Sequence, residues 1–274
     1  MPLNLQEIFA AARVAVTVVF LVYASWSDYK TREVSNRVWA IYFPIALALS
    51  LAELILYAPQ DLPFFGLSVG VTVGFAFMLF YFGGFGGADS KAFMCIAVAL
   101  PFFPTELIKP ISADSLSPLA QIIFPITILT NAVLFSATSA LYLFLSNVGR
   151  RIITRKPLFE GTLAKEFIGK KFLVLITGHK LPISTLKSKW HKFPLEDIVE
   201  DGDSLKRRLL VVPADEEANE QIVERLGKAA EAGKIDSKVW ASPGLPMLIF
   251  VTLGLIVALS VGDIVWLVVV HLFG

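Results

Sequence analysis

The chain has 274 residues, 55% of them apolar and 17% charged, with a formal net charge of +1 and a mean hydropathy of +0.69. Soluble domains carry about 45–50% apolar residues, so the composition points to a membrane protein, and a near-zero charge gives no case for nucleic acid as a partner. The single cysteine, Cys95, lies in an apolar run and reads as a small buried hydrophobe; one cysteine allows no intramolecular disulfide and no cysteine-cluster metal site.

A bilayer core takes about 20 apolar residues per helix. Six segments qualify, at about 7–27, 38–58, 63–83, 87–104, 119–146 and 243–272, which predicts an all-α membrane protein of six transmembrane helices. Residues 1–6 carry no positive charge and precede an apolar run too long for an h-region, so the start does not read as a cleaved signal peptide. In the fourth segment the continuous apolar run, Ala92–Phe103, has only 12 residues, or about 18 Å of helix. To span, it must begin near Gly86 or Gly87, which puts Asp89 in its first turn. Asp28 lies about one turn beyond Ala24, at the end of the first segment. The fifth and sixth segments are long enough to tilt or protrude.

Between the fifth and sixth segments the composition changes. Residues 147–241 hold 18 of the 24 Lys+Arg and 14 of the 23 Asp+Glu. This predicts a small α/β soluble domain there and divides the chain into 1–146, 147–241 and 242–274. Lys171–Thr177 and Arg208–Val212 read as strands. Asp215–Ala232 reads as a helix, with Asp215, Glu216 and Glu217 suited to its N-terminal dipole. The acidic run Glu196, Asp197, Glu200, Asp201 and Asp203 reads as a solvated surface.

The loops set the orientation, because cytoplasmic loops collect Lys and Arg. Lys30, Arg32 and Arg37 follow the first segment, Lys91 opens the fourth, and Arg150, Arg151, Arg155 and Lys156 follow the fifth. The loop after the second carries no Lys or Arg, and the loop after the fourth only Lys109. The N- and C-termini are therefore expected outside and the soluble domain in the cytoplasm. Asp28 and Asp89 then lie at one depth, at the cytoplasmic face.

Each aspartate has two readings. Asp89 closes the stretch Gly83-Gly84-Phe85-Gly86-Gly87-Ala88-Asp89-Ser90-Lys91. Its glycines allow tight turns and close approach, and the aspartate can simply cap the next helix. An ionisable residue beside irregular backbone at membrane depth is equally a functional candidate. Asp28, in Ser27-Asp28-Tyr29-Lys30-Thr31-Arg32, can be a loop carboxylate paired with Lys30 or Arg32, or the second half of a carboxylate pair that activates a water. Gly262-Asp263 repeats part of the pattern on the expected outer side, where it reads as an interfacial or inter-helix polar contact. His179, His191 and His271 lack metal-ligand spacing, and the glycine run lacks the Lys-Ser/Thr of a nucleotide loop. No metal and no cofactor is expected.

Together these stretches resemble the archaeal preflagellin (prearchaellin) and prepilin peptidases, intramembrane aspartyl proteases named for a Gly-x-Gly-Asp motif and related in mechanism to presenilin. Asp28, Arg32 and Asn36 match the first motif, an aspartate ending the first helix followed by a basic and a polar residue. Gly86, Gly87, Ala88, Asp89 and Lys91 match the second, with Ala88 standing where the motif has glycine. The resemblance covers the whole chain. It extends to the soluble domain before the last span and to Trp240-Ala241-Ser242-Pro243-Gly244-Leu245-Pro246. It implies that Asp28 and Asp89 are catalytic. It also implies that archaellin or pilin precursors, with a short basic leader ahead of an apolar helix, are the substrates.

Two carboxylates a few ångströms apart cannot easily both ionise, and such a pair shares a proton. The ionised member takes a proton from water and the neutral one donates to the peptide carbonyl. Pro243 and Pro246 read as helix-start residues or, by analogy with a proline-containing motif in presenilin-like proteases, as a loosened segment on the substrate path. Glu33 or the acidic run can attract a basic leader. The chain has none of the cysteine-rich region of bifunctional bacterial prepilin peptidases, so no methyltransferase activity is expected. Two other readings of the residues stay open: a proton-coupled transporter using the aspartates as a relay, and a non-enzymatic scaffold. Inverted repeats and broken helices, which mark transporters, are not legible in the sequence.

Overall fold

Asn4 starts the first helix. Its side chain accepts from the Glu7 N–H (2.8 Å), and the Glu7 carboxylate accepts from the Asn4 N–H (2.9 Å), satisfying two donors that a helix start leaves open. The structure, a computed structural model, describes residues 4–83, 85–109, 116–188, 191–201, 204–211, 216–244 and 246–273. Gly84, Asp203, Val212, Asp215 and Leu245, all singled out in the sequence, lie outside the described residues.

Helix α1 runs Leu5–Thr31 and stops at Arg32, whose φ of 60° is left-handed, a costly region for a non-glycine residue. Ser35 caps α2, Asn36–Tyr57. A 3-10 turn at Pro59–Asp61 leads into α3, Leu62–Tyr81. Helix α4 is Gly87–Ala99, α5 is Pro118–Ile122 and α6 is Phe124–Thr154. The chain ends with α10, Met247–Ser260, and α11, Ile264–Phe273. Contacts divide it into two compact units, Met1–Ser136 with Pro246–Gly274, and Ala137–Leu245.

Among the described residues, four helical stretches are long and apolar enough to cross a membrane: Leu5–Thr31, Asn36–Tyr57, Pro59–Tyr81 and Phe124–Thr154. A fifth arises if α10 and α11, bent by 55°, count as one span. The structure therefore corrects two expectations. The last segment is not one continuous helix, and a broken helix is present. Gly262 turns the chain at φ 101°, and Asp263 then caps α11 by accepting from the Trp266 N–H at 3.1 Å. Asn131 of α6 clamps the break, donating to the Gly262 carbonyl (2.9 Å) and accepting from the Ile264 N–H (3.2 Å). Thr127 also reaches Asp263, at 3.5 Å, so Asp263 is an inter-helix polar contact.

The fourth segment, expected at 87–104, is helical for only 13 residues, about 20 Å. It is enclosed by protein: α4 packs on α2 and α3, and Ser90, Ala92, Phe93 and Cys95–Ala99 are buried. Its end lies among other helices, and side chains take the carbonyls that a helix end leaves open. Arg13 Nη1 donates to Ala99 O at 3.0 Å, and Ser50 Oγ donates to Val98 O at 2.7 Å and reaches Ala99 O at 3.4 Å. Ser68 Oγ donates to Pro101 O at 2.9 Å. Arg13 is in turn paired with Glu53, Nε to Oε2 at 2.7 Å and Nη2 to Oε1 at 2.9 Å.

In the second unit, α7 (Ile168–Thr177), β1 (His179–Pro182) and α8 (Ile183–Ser188) precede β2 (Phe193–Pro194). Strands β3 (Glu196–Asp201) and β4 (Ser204–Leu209), α9 (Glu216–Glu231) and β5 (Lys238–Ser242) follow. The antiparallel strand order is β1-β5-β2, with β3 and β4 a separate pair. Lys171–Thr177 is a helix, not the expected strand. A continuous apolar run does not separate the two by periodicity, and here Asn147 takes the last-turn carbonyls of Leu175 (3.0 Å) and Gly178 (2.7 Å). The expected strand at Arg208–Val212 lies earlier, as β4. The acidic run is not a solvated surface throughout, because Glu196 and Asp197 are buried. Arg207 grips both oxygens of Glu196 at 2.8 and 2.9 Å, and Arg208 and Arg225 pair with Asp197.

Candidate active site

The last turn of α1 carries Asp28, half-buried. The helix ends just after it, with the Arg32 N–H donating to Asp28 O at 3.0 Å, and the Arg32 charge acts on the Asp28 carboxylate. One turn earlier, Ser25 fastens α1 to α10. Its hydroxyl donates to Leu248 O at 2.8 Å and lies 2.7 Å from Thr252 Oγ1. This holds the first turn of α10 against the end of α1, where the Leu248 N–H meets the Asp28 carboxylate. Pro246 is the N-cap residue of α10 and Pro243 follows β5 directly.

Asp89 is the third residue of α4. Its Oδ2 accepts from the Gly86 N–H at 3.0 Å, the hydrogen bond of a helix-capping carboxylate. A Cβ on Gly86 would lie 3.1 Å from that oxygen, so any side chain there crowds the carboxylate. Gly83 takes a positive φ of 72° to turn the chain out of α3, and Phe85 then stacks on Phe93 of α4, centroids 5.2 Å apart. Ala88 is a helical residue of α4 and needs no left-handed backbone; the departure from glycine costs the turn nothing.

The structure thus brings most of the sequence candidates to one end of the first unit. Asp28 and Asp89 are near enough for their charges to interact. Lys91 Nζ donates to Asn36 Oδ1 at 2.7 Å, tying the first turn of α2 to α4. Arg32 stands beside Asp28. Among the described residues no three His, Cys, Asp or Glu side chains come together as metal ligands would.

Several residues with clear structural work were not singled out in the sequence. Ser25 lies three residues before Asp28 and Thr252 four after Leu248, helical spacings that put each pair on one face. Arg13 and Glu53 carried the plainer signal, since each is an ionisable residue inside an apolar segment. Leu248 acts through its backbone and carries no side-chain signal.

Two family models match the chain: the Type IV leader peptidase family over residues 15–146, and the Archaeal Peptidase A24 C-terminus Type II over residues 170–264. Among curated proteins, the preflagellin peptidase of Methanocaldococcus jannaschii is 24% identical over 266 residues, 94% of this chain and 97% of the relative. That of Methanococcus voltae is 24% identical over 254 residues, 91% of this chain and 94% of the relative.

Proposed function

We propose that this chain, which belongs to the type IV leader peptidase family, is an intramembrane aspartyl endopeptidase with Asp28 and Asp89 as its catalytic pair. Its substrates are archaellin or pilin precursors, from which it removes the short basic leader at the cytoplasmic membrane face. The observation that carries this reading is the placement of the two aspartates, one ending α1 and one opening α4, near enough for their charges to interact.

The chemistry follows from that pair. The ionised carboxylate takes a proton from water as the oxygen attacks the scissile carbonyl carbon; the neutral carboxyl donates its proton to the carbonyl oxygen. Collapse of the tetrahedral intermediate breaks the C–N bond: as the C=O re-forms, one hydroxyl returns a proton to the carboxylate that had donated, and the departing amine takes the proton the other carboxylate removed from water. The two acids act as one coupled pair, so base and acid are roles of the pair and not of either residue. Each carboxylate presently holds a backbone N–H, from Leu248 and from Gly86. A substrate strand entering there competes for the same groups, and Pro246, the N-cap residue of α10, borders that path. Lys91, Asn36, Arg32 and the small residues Gly86, Gly87 and Ala88 support the geometry.

The loop charges favour six crossings, with α4 as a short enclosed one, termini outside and residues 147–241 in the cytoplasm. Buried, paired Glu196 and Asp197 are unsuited to attracting a basic leader, which leaves Glu33 of the acidic residues named for that role with a described exposed side chain. The broken helix does not favour a transporter: the polar groups of the break, Gly262 O, Ile264 N and Asp263, have protein partners.

Cleavage of a purified archaellin precursor in detergent tests the pair. Wild type should remove the leader, and Asp28→Asn and Asp89→Asn should each leave it attached while remaining folded. Full activity in either variant would sink the pair; an uncleaved precursor with folded wild type would sink the substrate. Orientation has its own test, because a cysteine replacing Glu200 in a Cys95→Ser background should resist an impermeant thiol reagent applied outside intact cells.

A further inference from the structure

Beyond the carbonyl clamp Asn147, the last turns of α6 border a cavity of about 220 Å³ in the second unit. Arg150, Arg151, Lys156, Lys180 and Lys238 line it, and Trp240 forms part of its wall. Two carboxylates, Glu160 and Asp236, also line it, which leaves an excess of three positive charges. None of the five cations is in an ion pair among the described residues. Asp236 is turned to its own chain, where it accepts from the Ser237 hydroxyl and the Lys238 N–H. Such a concentration of unpaired cations around a cavity has a ligand of the opposite sign as its natural complement.

The surroundings say where that anion comes from. Helix α6 has 31 residues, about 46 Å against a hydrocarbon core of about 30 Å, so its basic end projects to headgroup level. Beside it lies α7, joined to α6 through Asn147 and by the Phe144–Phe172 contact at 6.0 Å. Phe167, Ile168 and Phe172 of that segment are exposed next to Lys170 and Lys171, the composition of a helix lying in a membrane interface. Basic pockets at this level take lipid headgroups.

We propose that this cavity binds the phosphate of an anionic phospholipid headgroup, with the Arg and Lys side chains as its counter-charges. The site is separate from the aspartates and does not depend on their role.

The test uses the full chain purified in detergent, with native mass spectrometry of bound phosphatidylglycerol against phosphatidylcholine. Wild type should retain phosphatidylglycerol selectively. Arg150→Gln/Lys238→Gln, both exposed positions, should lower that selectivity about thirtyfold, the effect of two headgroup-level cations. Lys165→Gln/Lys234→Gln, equal in charge but outside the cavity, should leave binding as in wild type. An equal loss in that control would overturn the site in favour of general surface charge. Inorganic phosphate binding as tightly as the lipid, or displacing it at equal concentration, would overturn the lipid as its source. Retention of phosphatidylglycerol by the Arg150→Gln/Lys238→Gln variant would overturn the proposal outright.

Discussion

Replacing Arg13 by Met removes one charge and little volume, and it strikes the end of α4 from a distance. In the wild type the guanidinium makes two contacts with Glu53, at 2.7 and 2.9 Å, and donates to Ala99 O at 3.0 Å. The two side chains are 9% and 8% exposed, so water replaces neither contact. Breaking a buried pair from one side costs about 3–5 kcal/mol, mainly because the other charge is left behind. The lost bond to Ala99 O contributes at the low end of about 1–3 kcal/mol, since Ser50 still reaches that carbonyl at 3.4 Å. These overlap, and a total of about 4 kcal/mol is expected. Arg13→Met/Glu53→Met leaves no orphaned charge and should lose only about 1–2 kcal/mol. The double-mutant cycle in detergent unfolding should therefore give a coupling of at least about 2 kcal/mol. A single-variant loss under about 1 kcal/mol, or strict additivity, would refute the claim that the pair acts as one device holding α4.

Three further outcomes follow from the same geometry. Gly254→Ala should cost about 1–3 kcal/mol, measured by thermal unfolding, because its Cβ would lie 2.5 Å from Ile128 O and 2.8 Å from Ala132 N, both backbone atoms of α6. Burial pushes the Glu196 carboxyl up despite Arg207; Arg207→Met should therefore destabilise by about 3 kcal/mol near neutral pH. That loss should shrink as the pH falls and Glu196 protonates, and a deficit independent of pH would contradict it. Burial first, then Arg150 and Lys192, holds the His179 imidazole below its ordinary 6.5. The unfolded chain then binds the proton first, so stability should fall as the pH drops through about 6.5, and His179→Gln should flatten that slope in unfolding curves taken from pH 7.5 to 5.5.

How much of this was legible in the sequence depended on which signal each residue carried. Long apolar helices announce themselves by length, and α1, α2, α3 and α6 stand close to where hydropathy puts them. Asp28 and Asp89 stood out in the sequence because a carboxylate is conspicuous among apolar residues, and their surrounding motifs carried the resemblance. The break at Gly262 was less legible, because Gly-Asp in an apolar run looks alike whether Asp263 caps a new helix or faces solvent. The carbonyl clamps were hidden for another reason. Asn147, Asn131 and Ser50 act on backbone atoms of segments far away in the chain, and no local pattern encodes such a contact. Lys171–Thr177 failed as a strand since its composition suits either form, and the deciding partner, Asn147, lies outside the run.

Helix α4 has a consequence for how such a chain can drift in composition. Buried against its neighbours, it does not meet acyl chains along its whole length, so it is released from the hydrophobic matching that governs α1 to α3. What it must satisfy is volume: Ala92, Cys95, Ala97 and Ala99 sit at 3% exposure or less, where a single added methylene is felt. Substitutions there should follow the rules of a water-soluble core, tolerant of polarity that finds a partner and intolerant of bulk. Variation in bilayer thickness, by contrast, should be absorbed by the outer helices and leave the carboxylate that α4 carries in place.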